Sequence, residues 1–252
     1  MTDRPFLLLR GLARESRYWG DFTGYLAKTF PDRPILTPDI PGNGPFWQQT
    51  SPSSIGAMTQ SLRSQLTIAG PMDIIGLSMG GMIALDWMNR FREDIASGIL
   101  INTSASPLSP FYQRLRWQTY PALFRPGRLD INRREQLYLN LTSRHHQLDA
   151  DLLKQWQAWQ QEHPVSQANT LRQLRAAASF RWTQRTLQPV LIAASQTDQL
   201  VDFRCNTALA SALHCELIVH PTAGHDLPLD DPGWLCDQIK QWLTQLAIDL
   251  IK

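Results

Sequence analysis

The strongest constraint on the fold is a short segment in which a serine stands between two glycines, Gly76-Leu77-Ser78-Met79-Gly80. An apolar, strand-like run precedes the segment and a helix-like run follows it, so the serine marks a tight turn from strand to helix. At such a turn the serine takes strained backbone angles, and the residues two before and two after it must be small. Glycines occupy both places. The segment therefore predicts a nucleophile elbow, with the N-terminus of the following helix directed at the site.

Apolar runs rich in Leu, Ile and Val alternate with longer helix-like segments, a pattern typical of βα units that build a parallel sheet. The predicted strands are Phe6–Leu9, Ile35–Thr37, Met72–Leu77, Gly98–Asn102, Pro189–Ala194 and Glu216–His220. The predicted helices cover about Tyr18–Thr29, Ser54–Ala69, Gly80–Phe91, Phe203–Leu213 and Pro232–Leu250. We therefore expect an α/β fold with a mostly parallel sheet of about six strands flanked by helices.

Residues 106–185 interrupt this alternation. The segment contains no strand-like run, is rich in Gln, Arg and Trp, and is broken by Pro107, Pro110, Pro121, Pro126 and Pro164. We interpret it as an inserted helical cap on a core formed by residues 1–105 and 186–252. A chain of 252 residues fits one α/β domain with such an insertion.

The charge of the chain is small but unevenly distributed. The formal net charge is +2, which gives no indication of a nucleic-acid partner. Ala105–Arg185 holds 12 Lys and Arg against 5 Asp and Glu, a net +7, and the rest of the chain carries −5. A basic cap could steer anionic substrates or acidic partners toward a site beneath it. The alternative is a solvated surface whose arginine stems cover apolar area.

The cysteines and the N-terminal region point to a cytoplasmic protein without a metal. Cys205, Cys215 and Cys236 form no CxxC pair and have no histidine at metal-ligand spacing. The first apolar run, Phe6–Leu9, is ended by Arg10 and is too short for a signal peptide or a membrane span. We therefore expect no membrane span, no metal and no organic cofactor.

Two residues that follow predicted strands can complete a catalytic site with Ser78. A serine hydroxyl needs a base at neutral pH, and the base needs an acid to fix its tautomer and stabilise its charge. Asp198 comes directly after one strand and His225 comes after the last strand. Because the carboxyl ends of parallel strands meet at one edge of a sheet, we expect Ser78, Asp198 and His225 to converge there.

Two other positions could supply the acid. Asp202 lies four residues after Asp198, but it precedes the helix predicted from Phe203 and is better explained as its N-cap. The strand that ends at Asn102 is followed by Thr103 and Ser104 rather than by a carboxylate. Asp198 is therefore the preferred acid.

With these motifs in this order, the chain resembles the α/β-hydrolase family, in its small lidded esterase branch. The resemblance covers nearly the whole length and rests on four segments in family order: the elbow Gly76–Gly81, the Asp39–Gly44 loop, the Asp198 loop and the His225 loop. It implies a nucleophile at Ser78, a base at His225 and an acid at Asp198.

The resemblance also implies an oxyanion hole built from the backbone amides of Met79 and Leu12. Leu12 is assigned because Leu9-Arg10-Gly11-Leu12 occupies the place of the family's His-Gly loop after the first core strand. Arg10 replaces the usual histidine there, and Asn43 replaces the usual histidine of the Pro-Gly-His-Gly loop. Arg10 could bind an anionic group of the substrate or pair with a nearby carboxylate.

Aromatic residues of the cap are the remaining candidates for substrate binding. Each of four tryptophans could line a pocket or could pack inside the cap, and we expect at least one to line the pocket: Trp117, Trp156, Trp159 and Trp182.

The expected function is that of a serine hydrolase that cleaves a carboxylic ester or thioester through an acyl-enzyme. Its substrate would be a small acyl compound, free or bound to a carrier protein. The same triad could serve a lyase, a C–C hydrolase or a perhydrolase, and a member of the fold could also bind a ligand without turnover. Ser78 argues against haloalkane dehalogenase and epoxide hydrolase activity, which need a carboxylate at the elbow.

Overall fold

A computed structural model describes residues 4–120, 130–182 and 186–249. Its strands are β1 (Phe6–Leu9), β2 (Ile35–Leu36), β3 (Met72–Leu77), β4 (Ile95–Ile101), β5 (Val190–Ser195) and β6 (Glu216–His220). They form one sheet in the order β2-β1-β3-β4-β5-β6, and every neighbouring pair is parallel. The predicted α/β fold and the number of strands are confirmed.

The described residues form ten α-helices. They are α1 (Phe22–Thr29), α2 (Ile55–Arg63), α3 (Met79–Arg90), α4 (Phe111–Arg114), α5 (Ile131–Thr142), α6 (Ala150–Glu162), α7 (Gln167–Ser179), α8 (Phe203–Leu213), α9 (Leu227–Asp230) and α10 (Pro232–Asp249). Short 3₁₀ turns cover Ser16–Trp19, Gly44–Phe46, Arg92–Asp94 and Trp117–Thr119. None of these helices combines the length and the apolar character that crossing a bilayer requires.

Two helices begin or end differently from the prediction. The helix expected over Tyr18–Thr29 is divided into a 3₁₀ turn and α1, because Gly20 between them has φ +51° and leaves the helical region. The helix expected over Ser54–Ala69 ends at Arg63. The predicted end of the last helix, Leu250, lies outside the described residues.

The sheet is covered by helices on both faces, and alternation along β1 shows how the core is divided. Leu7 and Leu9 pack in the cluster that holds the buried residues of α2, α3 and α8. Phe6 and Leu8 point to the opposite face and pack in the cluster that holds those of α1 and α10. Burial on both faces explains why the strands are apolar runs rather than alternating ones.

The helices α4 to α7 all lie between β4 and β5, in the segment predicted as the cap. The two ends of the segment are joined by a parallel bridge between Ser106 and Arg181 and by a bond of 2.7 Å from the Trp182 amide to the Ser106 carbonyl. Residues 121–129 and 183–185 of the predicted cap lie outside the described residues. The division into core and cap remains a prediction.

Candidate active site

Ser78 stands between β3 and α3 with a left-handed backbone, at φ +57° and ψ −117°. Such a conformation costs a non-glycine residue on the order of 1–3 kcal/mol and persists only where neighbours hold it. The Ser78 amide donates to the Ile101 carbonyl over 2.9 Å, and the Thr103 hydroxyl donates to the Ser78 carbonyl over 2.6 Å. The carboxyl end of β4 therefore fixes the turn.

The two glycines of the elbow are required by close backbone contacts. A Cβ on Gly76 would lie 2.5 Å from the carbonyl oxygen of Gly80, and a Cβ on Gly80 would overlap the carbonyl oxygen of Leu9. The absence of side chains lets α3 approach the end of β1. The loop after β1 consequently lies beside Ser78, and a Cβ on Gly11 would be only 3.7 Å from the Ser78 hydroxyl oxygen.

Asp198 and His225 are brought together as the sequence predicts. The Nδ1 atom of His225 lies 2.7 Å from Oδ2 of Asp198, and both residues are buried. The other oxygen, Oδ1, accepts bonds from the amides of Leu200 (2.7 Å) and Val201 (3.0 Å). The carboxylate therefore has a fixed orientation, with one oxygen bound to its own loop and the other directed at the histidine.

Asn102 holds the His225 loop, a role that the sequence analysis missed. Its Nδ2 donates to the His225 carbonyl over 2.8 Å, and its Oδ1 accepts the Ser195 amide over 2.8 Å. Asn102 thus connects the carboxyl ends of β4 and β5 to the loop after β6. The sequence signal for this role is a polar residue at the end of a buried strand. In the sequence analysis, that position served only to show that no carboxylate follows the strand.

Ser78 and His225 line one cavity of about 370 Å³. Gly11, Leu12 and Met79 line it as well, so both residues whose amides are predicted to form the oxyanion hole border the same cavity as the serine. Much of the remaining wall is apolar and comes from both the predicted core and the predicted cap: Leu77, Met82, Leu115, Leu174, Leu200 and Val201. The cavity can hold an apolar group against a serine and a histidine.

Arg10 reaches this cavity but is paired. Its Nη1 and Nη2 donate to the two carboxylate oxygens of Asp226 over 3.2 and 2.6 Å, and its guanidinium lies over the Trp19 ring, 4.9 Å from the centroid. Both charged side chains are buried. Of the two roles considered for Arg10, the geometry supports pairing with a carboxylate. That carboxylate belongs to Asp226, the residue that follows His225 in the sequence.

The cap tryptophans lie away from the cavity. Trp156 is buried and Trp159 is partly buried, and each ring packs edge-on against Tyr18 at 5.1 Å. Trp117 is 62% exposed. None of them is among the described residues that line the cavity, whose aromatic walls are instead Phe111, Tyr120 and Tyr138. Trp182 is buried and does not line the cavity either, so the expectation that at least one of the four lines the pocket is corrected.

Two residues considered in the sequence analysis have structural contacts. The side chain of Asp202 accepts the Arg204 amide over 3.0 Å and caps α8, as predicted. Asn43 is buried, donates to the Arg14 carbonyl over 2.9 Å and accepts from Gln173 over 2.7 Å. It connects its loop to α7 of the predicted cap.

A search of the described ranges for three or more His, Cys, Asp and Glu side chains that could bind a metal ion finds none.

Comparison with known proteins identifies the class. Residues 6–238 match the model of the alpha/beta hydrolase family, and the chain belongs to that family. No curated protein sequence matches it.

Solved structures share the fold at low sequence identity. An esterase from Thermogutta terrifontis is 20% identical with a TM-score of 0.74, over 97% of this chain and 90% of that one. A serine hydrolase from Cycloclasticus zankles is 17% identical, with a TM-score of 0.77 and coverage of 97% and 91%. A candidate non-heme bromoperoxidase from Mycobacterium tuberculosis H37Rv is 19% identical, with a TM-score of 0.77 and coverage of 97% and 93%.

Proposed function

We propose that the protein is a serine hydrolase that cleaves carboxylic esters or thioesters through an acyl-enzyme intermediate. The observation that carries the proposal is the 2.7 Å contact between His225 and Asp198, with the same histidine lining one cavity with the strained Ser78. Membership of the alpha/beta hydrolase family is consistent with it.

In this mechanism the Asp198 carboxylate holds the Nδ1–H tautomer of His225, which leaves Nε2 free to take the proton of Ser78. The serine oxygen attacks the carbonyl carbon, and the amides of Leu12 and Met79 donate to the oxyanion. His225 then protonates the leaving alcohol or thiol. A water molecule deprotonated by the same histidine releases the acid and restores the serine.

The walls of the cavity support an acyl substrate. Its volume of about 370 Å³ lies at the lower end of the range of small-molecule sites, which favours a short or medium acyl group. The esterase and the serine hydrolase among the structural neighbours agree with this assignment at the level of the fold.

A carrier-bound acyl substrate is the finer proposal, and the basic cap motivates it. Arg133 on α5 is largely exposed, as an acidic carrier would require, although it lies 3.6 Å from the exposed carboxylate of Asp130. Arg134 is less available, because it donates to Gln160 over 2.8 Å and lies near Glu135. Arg125 and Arg128, two further basic residues of the cap, lie outside the described residues.

The test is a panel of p-nitrophenyl esters and acyl thioesters with the wild type and two variants. Ser78→Ala should lower kcat by about 10³–10⁶. Ser104→Ala is the matched control, because Ser104 lines the same cavity but is given no chemical role, and its kcat should stay within about threefold. More than a tenth of wild-type activity in Ser78→Ala would exclude this nucleophile. Addition of peroxide and a carboxylic acid tests for perhydrolysis, which the bromoperoxidase-like neighbour suggests as a second candidate.

A further inference from the structure

Among the described residues, three arginines line the cavity of Ser78, and they differ in their partners. Arg10 is paired with Asp226. Arg14 is paired with Glu135 over 2.6 Å, and its guanidinium also lies 4.4 Å from the centroid of the Tyr18 ring. Each of these two charges is therefore balanced by a buried carboxylate.

Arg114 has no such carboxylate. No ion pair joins it to any acidic side chain in residues 4–120, 130–182 and 186–249. The sequence of the other cap residues, 121–129 and 183–185, contains no Asp or Glu that could provide one. Of the arginines among the described residues that line the cavity, Arg114 is therefore the one without a carboxylate of its own.

The contacts of Arg114 satisfy only part of its hydrogen-bonding capacity. Its Nη2 donates to the Ala177 carbonyl over 2.6 Å and its Nη1 to the Ala178 carbonyl over 3.2 Å, at the end of α7. Its Nε has a long contact of 3.5 Å to the Ser104 hydroxyl. A guanidinium carries five N–H groups, and these contacts together with the one to the Met82 sulfur leave at least one N–H group for a further acceptor. Burial lowers the pKa of Arg114 because removal of water disfavours the charged form, and an anionic ligand would reverse that effect.

The guanidinium lies close to the candidate reaction centre. Met82 follows Met79 by three residues on α3, on the same face of the helix, and its sulfur is 3.9 Å from Nη2 of Arg114. On the other side, Ser104 follows Thr103, whose hydroxyl binds the Ser78 carbonyl. Arg114 and Ser78 thus border one cavity, in which the Met82 side chain contacts the guanidinium and Leu77, Met82 and Leu115 supply apolar wall.

We propose that Arg114 determines specificity by binding a carboxylate at the far end of the acyl group. The substrate class is then the monoesters of short dicarboxylic acids. The inference rests on the proposed function: water adds to the ester carbonyl, the alcohol leaves with a proton from His225, and the product is a dicarboxylate. The apolar wall next to Met82 accommodates the methylene groups between the two ends.

A structural role for Arg114 is the competing explanation, because its bonds to the last carbonyls of α7 connect that helix to α4. Loss of that connection would affect every substrate alike. Loss of a carboxylate site would affect only the anionic ester, so the two explanations differ in selectivity.

The experiment compares monoethyl adipate with the isosteric neutral ester ethyl 6-amino-6-oxohexanoate, by release of ethanol. The wild type should prefer the anion, and Arg114→Gln should lower the ratio of the two kcat/KM values by about 10- to 100-fold, the usual effect of a hydrogen bond to a charged group. Arg114→Lys should retain part of the preference. Arg175→Gln is the matched control, since Arg175 is an exposed residue of α7 that does not line the cavity. It removes the same charge and should leave the ratio unchanged.

Binding separates this inference from the proposed function. In Ser78→Ala, calorimetry should show binding of monoethyl adipate that weakens at least tenfold when Arg114→Gln is added. If the wild type hydrolyses neither ester but this Arg114-dependent binding is present, hydrolysis is wrong and the carboxylate site stands. If the wild type has no preference for the anion, or if Arg114→Gln slows both esters alike, the carboxylate site is overturned and the hydrolase proposal is unaffected.

Discussion

The choice of acid gives the sharpest prediction, because the chain offers two aspartates four residues apart with different contacts. Asp198→Asn keeps the size of the side chain, and its amide oxygen can still accept the amides of Leu200 and Val201. Its amide nitrogen then faces Nδ1 of His225, the atom that lies 2.7 Å from the carboxylate in the wild type. A donor at that position forces the imidazole to carry its proton on Nε2. A protonated Nε2 cannot accept the proton of the serine.

The expected loss is large in rate and small in stability. The same substitution in a related triad lowers kcat about 10⁴-fold, which corresponds to about 5.4 kcal/mol at 1.36 kcal/mol per factor of ten. Asp202→Asn is the matched control. Its carboxylate caps α8 and pairs with the exposed Arg204, and asparagine is an equally good N-cap, so kcat should change less than twofold.

The assay is the initial rate of hydrolysis of the best p-nitrophenyl ester at saturating concentration, with thermal unfolding as the control for folding. Both variants should unfold within a few degrees of the wild type. If Asp202→Asn loses as much activity as Asp198→Asn, or if Asp198→Asn retains a tenth of the wild-type kcat, the tautomer argument is refuted.

Two further predictions concern buried charged groups. Arg10→Met leaves the buried Asp226 carboxylate without its partner and should lower the free energy of unfolding in urea by about 3–5 kcal/mol. The double variant, Arg10→Met with Asp226→Leu, should recover most of that loss. Equal losses in the single and double variants would contradict the pairing argument. Burial raises the pKa of Asp39 from 3.8 to about 6, although two bonds from Ser16 oppose the rise, so the folded state loses stability as pH increases from about 4 to 6. Asp39→Asn should therefore stabilise the protein at pH 8 by at most about 3 kcal/mol and leave it unchanged at pH 3, and a gain of equal size at both pH values would contradict the assignment.

Much of the fold could be predicted from the sequence because the strands of a parallel sheet are buried on both faces. Such strands appear as unbroken apolar runs, and all six were found with bounds within a few residues of the observed ones. The division at Gly20 was missed because the apolar periodicity continues across it, while only the backbone conformation of that glycine ends the helical turn.

The candidate site could be predicted as far as local patterns reach. Two sequence features were sufficient to predict that Asp198 and His225 lie together: their order in the chain and their positions after the ends of strands. Contacts across long sequence distances could not be predicted, because nothing in the local sequence specifies them. The Arg10–Asp226 pair joins residues 216 positions apart.

The cap shows the same limit in a different form. The tryptophans mark apolar positions of amphipathic helices. Such a pattern predicts that a side chain is buried, but it does not predict which residues the side chain contacts. Trp156 of α6 packs against Tyr18, whereas the described residues that line the cavity come from α4, α5 and α7 of the predicted cap. Arg114, which lines the cavity and has no ion pair among the described residues, has no distinctive motif around it.

Covalent labelling with a fluorophosphonate tests the central claim most directly, because only an activated serine reacts with it. The three thiols of the chain should not compete, since burial raises the pKa of Cys205 and Cys215 to about 11 and that of Cys236 to about 12. Intact mass and peptide mapping should show one adduct, on Ser78, that is absent in Ser78→Ala and forms far more slowly in Asp198→Asn. A folded wild-type protein that takes up no adduct, or takes it up at another residue, would contradict the assignment of Ser78 as the nucleophile.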